Sequence, residues 1–332
     1  MTLLFDRHSS IASPTLAPTT FDRHPRQDGR TEITIGLVNN MPDSALKATE
    51  LQFAHLLRAA AAPHLHVHFH CFSLPSIVRS PSVRTHVADR YRDIAELGSR
   101  AIDGLIVTGA EPIADSLRDE PYWPELAALV DWAKTNTRSA IWSCLAAHAA
   151  VLHLDGIERR RLPAKCSGIY DCAKITDDWL TRDLLSPLKV SHSRVNAVNE
   201  NELVARGYEI LTRSNEVGVD IFARQMPSRF VFFQGHPEYD ALSLQREYMR
   251  DIARFLAGQR DHYPNIPTSY FDAETEDILR RFEARAKLKR DPTLAAELPG
   301  LTLRPELASG AAVTLLFRNW IGFLAGGGEA QG

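Results

Sequence analysis

Short runs of consecutive apolar residues alternate with longer stretches in which apolar positions recur every three to four residues. Ile33-Thr34-Ile35-Gly36-Leu37-Val38 predicts a buried strand, and Ala45 to Ala61 carries helical spacing. A second strand is expected at Leu65 to Phe72. A third, Asp103-Gly104-Leu105-Ile106-Val107, ends in Thr108-Gly109-Ala110, and a helix opened by Pro124 follows over Trp123 to Lys134. Ser139 to Ser143 reads as a fourth strand, and Leu145 to Leu154 as a small-residue helix ended by Gly156. This alternation predicts an α/β fold, with right-handed βαβ units around a mostly parallel sheet flanked by helices. Ligand sites in such sheets lie at the carboxyl ends of the strands.

Beyond Gly156 the pattern is less regular, with strands expected at Gly168 to Ile175, Tyr208 to Arg213, Gly218 to Arg224 and Arg229 to Phe233, then a long helix over Leu242 to Ala257. Residues 272–290 are strongly charged, with Glu276/Arg280 and Glu283/Lys287 at i,i+4 and apolar Ile278, Leu279 and Phe282. They predict a surface helix with a solvated charged face. An apolar helix, Ala312 to Leu324, and a Gly-rich tail close the chain. Residues 1–30 show no period and repeat Phe-Asp-Arg-His at Phe5 to His8 and Phe21 to His24, which reads as a flexible N-terminal arm.

Composition narrows the function. The 332 residues carry 38 Lys+Arg against 41 Asp+Glu, a net charge of -3, which argues against a dedicated nucleic-acid or anionic-membrane binder. Four cysteines without a C-x-x-C pair exclude a disulfide scaffold and a zinc ribbon. Ala311 to Gly326, the longest apolar stretch, is broken by Arg318 and Asn319 and falls short of the roughly 20 apolar residues of a membrane span. Asp6 and Arg7 leave no room for a signal-peptide core, so a cytoplasmic protein is expected.

Cys144 stands where the strand Ala140-Ile141-Trp142-Ser143 turns into the helix beginning Leu145-Ala146-Ala147-His148. A thiol there faces the N–H groups and partial positive charge of a helix N-terminus, which favour the thiolate and supply oxyanion donors. Phe232-Phe233-Gln234-Gly235-His236-Pro237-Glu238-Tyr239 places an imidazole and a carboxylate two residues apart after another apolar strand. Nucleophile, base and orienting acid in that order form a triad for acyl transfer.

Taken in order, several segments resemble the homoserine O-acyltransferases of the succinyltransferase type, whose fold is like that of class I glutamine amidotransferases (flavodoxin-like, three-layer). They are Gly36-Leu37-Val38-Asn39-Asn40-Met41-Pro42, Thr49-Glu50-Leu51-Gln52-Phe53, Asp103 to Ala110, Tyr122-Trp123-Pro124, Lys165-Cys166-Ser167-Gly168-Ile169-Tyr170, His192-Ser193-Arg194, Gly235 to Asp240 and Asn319-Trp320. The resemblance implies Cys144 as the acyl-thioester nucleophile, His236 as proton acceptor, Glu238 as third catalytic residue, and Lys165, Ser193 and Arg250 as substrate contacts. It implies a ping-pong reaction with succinyl-CoA or acetyl-CoA as co-substrate, L-homoserine or a close amino-acid analogue as acceptor, no bound cofactor or metal, and a homodimer. The oxyanion would rest on the backbone N–H of Leu145 and one from Ala110. The expected organisation is an arm over 1–30, a catalytic α/β domain over 31–258 and a helical extension over 259–332 packing on the core.

The chain departs from the family in places. Asp43-Ser44 follow Met41-Pro42 where the family has two lysines, which makes Lys47 a candidate active-site lysine. An equal-length alignment puts Ile113 at the acyl-donor selector, with Glu111 two residues earlier. The family's Arg- and Trp-containing segment before the last helix is replaced by the charged stretch 272–310. An amidotransferase-like cysteine hydrolase shares the Gly-His-Pro-Glu turn, although amidotransferases flank their cysteine with glycines where this chain has Trp142 and Ala146. A non-catalytic small-molecule-binding relative is a third possibility, opposed by the intact Cys144, His236 and Glu238. His64, His66, His68 and His70 alternate with Leu65, Val67, Phe69 and Cys71, a pattern read as a solvated strand face in preference to a metal ladder. Cys166 and Cys172 read as structural, and no G-x-G-x-x-G or P-loop pattern is present.

Overall fold

A computed structural model describes residues 31–298, 301–304 and 310–326. The arm expected over 1–30 and the Gly-rich tail from 327 lie outside the described residues. The elements are β1 (Thr31–Val38), α1 (Asp43–Ala60), β2 (Leu65–Phe72), α2 (Pro81–Arg90), β3 (Gly104–Thr108), α3 (Trp123–Asn136), β4 (Ser139–Ser143), α4 (Leu145–Asp155), β5 (Arg160–Lys174), β6 (Leu188–Ala197), α5 (Glu200–Ala205), β7 (Glu209–Ile210), β8 (Thr212–Ser214), β9 (Gly218–Val219), β10 (Ile221–Gln225), β11 (Arg229–Phe233), α6 (Ser243–Leu256), α7 (Ala273–Leu288) and α8 (Ala311–Leu324).

Seven strands form the main sheet in the order β2-β1-β3-β4-β11-β10-β7, parallel from β2 to β11 and antiparallel beyond. Side chains alternate across a strand, so one run of apolar residues feeds two cores. Leu105, Val107, Trp142, Phe230 and Phe232 pack on one face with Leu129 and Val130 of α3 and Ala146 and Ala150 of α4. Ile106, Ile141, Val231 and Phe233 face the other way, onto Phe53 and Leu57 of α1 and Phe317 and Trp320 of α8. Helices thus cover both faces, giving the expected three layers. Close approach of α8 needs Gly104, where a Cβ would lie 2.4 Å from Leu324 Cδ1 and 2.8 Å from the Trp320 ring. Trp320 Nε1 donates to Ser139 Oγ at 3.0 Å, and Asn319 Nδ2 donates to the Leu180 and Arg182 carbonyls.

A second, antiparallel sheet has the order β6-β5-β8-β9. Its outer strand β6 has no clear apolar alternation, because its inward positions include His192 and Arg194, both buried. The single strands expected at Tyr208 to Arg213 and Gly218 to Arg224 each divide between the sheets: β7 and β10 join the main sheet, β8 and β9 the smaller one. The break falls at Leu211 and at buried Asp220, which ties the two sheets together by accepting from Thr212 Oγ1 at 3.0 Å.

Helix α7 is amphipathic as expected. Leu279, Phe282 and Ala286 join Tyr248, Ile252 and Phe255 of α6 in a third apolar cluster, while the Glu276–Arg280 and Glu283–Lys287 pairs face outward. The histidine alternation does not make a ladder. His64 lies before the strand, His68 faces Glu32 at 3.5 Å, and His70 is buried and accepts from Arg92 Nε at 3.2 Å. No helix among the described residues is long and apolar enough to cross a membrane.

Candidate active site

β4 and β11 are parallel neighbours in the main sheet, with Ser143 opposite Phe233. The residues that follow the two strands therefore emerge side by side at the carboxyl edge. Cys144 makes the turn from β4 into α4 at φ 52, ψ −110, a left-handed backbone that costs a non-glycine residue on the order of 1–3 kcal/mol. The turn is held at both ends: Cys144 N–H donates to the Phe233 carbonyl at 2.7 Å, and its own carbonyl accepts from Ala147 N at 3.0 Å. The result resembles a nucleophile elbow, which lifts the side chain out of the sheet edge in front of the first turn of a helix. The thiol is only partly buried, unlike those of Cys71, Cys166 and Cys172.

Two glycines make the close approaches. A Cβ on Gly109 would lie 2.3 Å from Leu145 Cβ and 3.0 Å from Ala146 N, so the β3 turn lies directly against the start of α4. Leu145 and Ala110, the two expected oxyanion donors, both line the cleft that opens above Cys144. A Cβ on Gly235 would meet Val190 Cγ1 at 2.6 Å and Asp220 Oδ1 at 2.8 Å. There the Gly235 N–H donates to Asp220 Oδ1 at 3.2 Å, and the next N–H, of His236, donates to the Ser191 carbonyl at 2.7 Å.

His236 is thereby fixed with its Nδ1 2.9 Å from Glu238 Oε1, both residues buried. The Tyr239 ring stacks on the imidazole at 4.2 Å between centroids. Burial opposes a charge on His236, but the Cys144 sulfur and the Glu238 carboxylate together outweigh it and hold its pKa well above the ordinary histidine value. An imidazole bonded to a carboxylate at one nitrogen and facing a thiol is suited to moving a proton to and from that sulfur.

The opposite wall is made of charge. Lys165 of β5 and Ser193 of β6 meet α6, where Ser193 Oγ donates to Glu247 Oε2 and Lys165 Nζ lies 3.5 Å from Glu247 and 3.0 Å from Asp251. Tyr239 Oη donates to Glu247 Oε1 at 2.6 Å, joining this network to the imidazole above it. Asp251 also receives Arg250 at 3.3 Å and Arg260 at 2.9 Å. Burial would raise the pKa of Glu247 and Asp251, but Lys165 and the surrounding donors hold both below the ordinary carboxylate value. The cleft between the walls has a volume of about 330 Å³.

Cys144, His236, Lys165, Ser193, Arg250, Leu145 and Ala110 line this cleft, and Glu238 stands directly behind His236. Glu111 lies at its edge, 3.7 Å from Arg254. Two candidates fall elsewhere. Lys47 is exposed on α1 and does not line the cleft, because it stands two residues, about 200° round the helix, from Ala45, which does. Ile113 is 92% exposed, its N–H given to Glu120 Oε1 at 2.6 Å. Sequence reasoning missed Glu247, Asp251, Arg260, Arg159, Arg194 and His148. The i,i+3 and i,i+4 spacing of Glu247, Arg250 and Asp251 was the available signal for α6.

Among the described residues, Cys172, His192 and Asp220 bring potential metal-ligand atoms within 4.8 Å of one another. Asp220 accepts from Thr212 and Gly235, and His192 Nδ1 accepts from Arg194 Nε at 3.3 Å, while His192 Nε2, 3.4 Å from Asp220 Oδ1, is buried without a hydrogen-bond partner. Asp220 holds the Gly235-His236 turn from beneath, accepting from the N–H groups of Gln234 and Gly235.

Comparison with solved structures places the fold. A glutamine amidotransferase from Methylobacillus flagellatus superposes with a TM-score of 0.50 over 88% of this chain and 94% of its own, at 16% identity. The likeness concerns the fold alone. Sequence comparison goes further. The homoserine O-succinyltransferase of Bradyrhizobium japonicum is 69% identical over 98% of this chain and 100% of its own length, and that of Rhodopseudomonas palustris 60% identical over 98% and 99%. The family model described as homoserine O-succinyltransferase matches residues 5–326, so nearly the whole length is accounted for, and the chain belongs to the homoserine O-succinyltransferase family.

Proposed function

We propose that this protein transfers a succinyl group from succinyl-CoA to the hydroxyl of L-homoserine through a thioester on Cys144, as a cytoplasmic enzyme of methionine biosynthesis. The observation that carries the mechanism is the His236–Glu238 contact of 2.9 Å beside a cysteine held in a strained strand-to-helix turn. In the resting site the raised His236 pKa suits the imidazole to take the proton of the Cys144 thiol. The thiolate attacks the thioester carbonyl, the oxyanion forms against the N–H groups of Leu145 and Ala110, and CoA leaves with the His236 proton.

Acylation changes the base. Once Cys144 is a neutral thioester, its charge no longer supports a proton on His236, and the neutral imidazole is ready to take the acceptor's hydroxyl proton. Attack by that oxygen expels the Cys144 thiolate and restores the starting pair. Glu238 orients the ring throughout. On the charged wall, the Arg250 guanidinium suits the α-carboxylate of homoserine, and Glu247 and Asp251 suit its ammonium.

Incubation with L-homoserine and each of succinyl-CoA and acetyl-CoA, following free CoA thiol beside a Cys144→Ala control, tests this reading. Thiol release that needs homoserine, succinyl-CoA and Cys144 together is expected. Release that persists in Cys144→Ala would refute the thioester route.

A further inference from the structure

The cleft's charges do not all balance within the protein. Lys165, Arg250 and Arg260 share Glu247 and Asp251, and Arg254 faces Glu111. Two further guanidiniums line the same cleft, and neither makes a hydrogen bond or ion pair with a carboxylate among the described residues, although the Arg194 charge is felt at buried Asp220. Arg194 is buried and held by neutral acceptors only: His192 Nδ1 at 3.3 Å, the Asn196 carbonyl at 2.8 Å and the Val217 carbonyl at 2.6 Å. Arg159 gives Nη2 to the Asp115 carbonyl at 3.1 Å, while its Nη1 is buried with no hydrogen-bond partner.

Both charges act beside the nucleophile. They are felt at His148, one helical turn along α4 from Cys144. His148 cannot offset or add to them, since burial, reinforced by Arg194 and Arg159, drives its pKa down to about 4 against a Gln234 hydrogen bond and leaves it neutral. A sheltered guanidinium with an unpartnered N–H is costly alone and strongly favourable with a carboxylate. The acceptor amino acid has its own opposite charges matched on the α6 wall. The acyl donor is the reactant that brings an unmatched anion, and a short dicarboxylic chain whose carbonyl sits at Cys144 keeps its far end within the cleft.

We infer that Arg159, supported by the charge of Arg194, binds the terminal carboxylate of the acyl donor and so selects a succinyl over an acetyl thioester. This rests on the acyl-CoA reading above. The test is kcat/KM of the full-length protein for homoserine-dependent CoA release from succinyl-, acetyl- and butyryl-CoA, in wild type, Arg159→Gln and Arg159→Lys. All three donors carry the same CoA, so a contact to CoA itself would affect them equally. Arg159→Gln is expected to lose about 10- to 100-fold with succinyl-CoA while changing by less than about 3-fold with the uncharged donors, and Arg159→Lys to retain part of the succinyl preference. A parallel loss with all donors, at unchanged Tm or not, overturns the inference and assigns the guanidinium to CoA or to the fold. Unchanged rates with all donors overturn it as well. Failure of wild type to release CoA from any donor removes the acyltransferase reading itself, an outcome distinct from a wild type that uses succinyl-CoA and an Arg159→Gln variant that uses it equally well.

Discussion

The two walls of the cleft are built by different physics. The reactive wall is positioned by backbone: neighbouring parallel strands β4 and β11 deliver Cys144 and the Gly235-His236 turn, and glycines 109 and 235 bring main chain to within contact of α4 and β6. The charged wall is positioned by side chains, with Lys165, Arg250 and Arg260 converging on Glu247 and Asp251 from three separate segments. Register fixes reacting atoms to a fraction of an ångström. A network of long side chains sets charge in place through ion pairs instead.

If that division is correct, changes in the reactive wall should reduce kcat and changes in the charged wall should raise KM for the acceptor. Cys144→Ala should give the largest effect, a fall in activity of about 10⁴-fold or more with the fold intact by circular dichroism. Glu238→Gln keeps the shape but removes the carboxylate on Nδ1. A loss of about 10²- to 10⁴-fold in kcat, with a lower His236 pKa in an NMR titration, is expected, and an unchanged pKa would show that Glu238 does not govern the imidazole. Asp251→Asn should raise KM for homoserine by about 10-fold with little change in kcat, and a kcat loss of the same size would erase the distinction between the walls. Gly109→Ala, whose new Cβ would lie 2.3 Å from Leu145 Cβ, should cost about 1–3 kcal/mol in denaturant unfolding along with part of kcat.

The effect farthest from the chemistry concerns pH. His148 has its pKa depressed from 6.5 to about 4 by burial, with Arg194 and Arg159 adding to it. The unfolded chain binds this proton more readily than the folded one, so its contribution to stability is present above about pH 6.5 and is lost as pH falls toward 4, on the order of 3 kcal/mol in all. A His148→Gln variant should therefore show a shallower fall of Tm between pH 6.5 and 4 than the parent, whatever it does to activity.

The same division explains what could be read from the sequence. β1, β3, β4 and β11 announce themselves as apolar runs because both sheet faces are covered, whereas the edge strand β2 alternates histidine with apolar residues, and the reactive residues are the polar ones that follow two of those runs. β6 gave no such signal, since its inward residues His192 and Arg194 are polar, with Arg194 bonded to His192 and Asn196 on its own strand and to the more distant Val217 carbonyl. Lys165, Ser193 and Arg250 came from resemblance, with no pattern of their own. Lys47 was drawn in by its distance from Met41-Pro42, whereas the structure spends that corner on Asp43 and its hold on Arg79. Glu247 and Asp251 look like ordinary charges on an amphipathic helix until β5 and β6 are set against it.

The central claim is that Cys144 carries the acyl group between donor and acceptor. Intact-protein mass spectrometry after mixing with succinyl-CoA in the absence of homoserine tests it directly. One succinyl group gained on the peptide containing Cys144, and discharged when homoserine is added, is the predicted result. Product formation at full rate with no adduct on Cys144, or an adduct that homoserine leaves untouched, would contradict it.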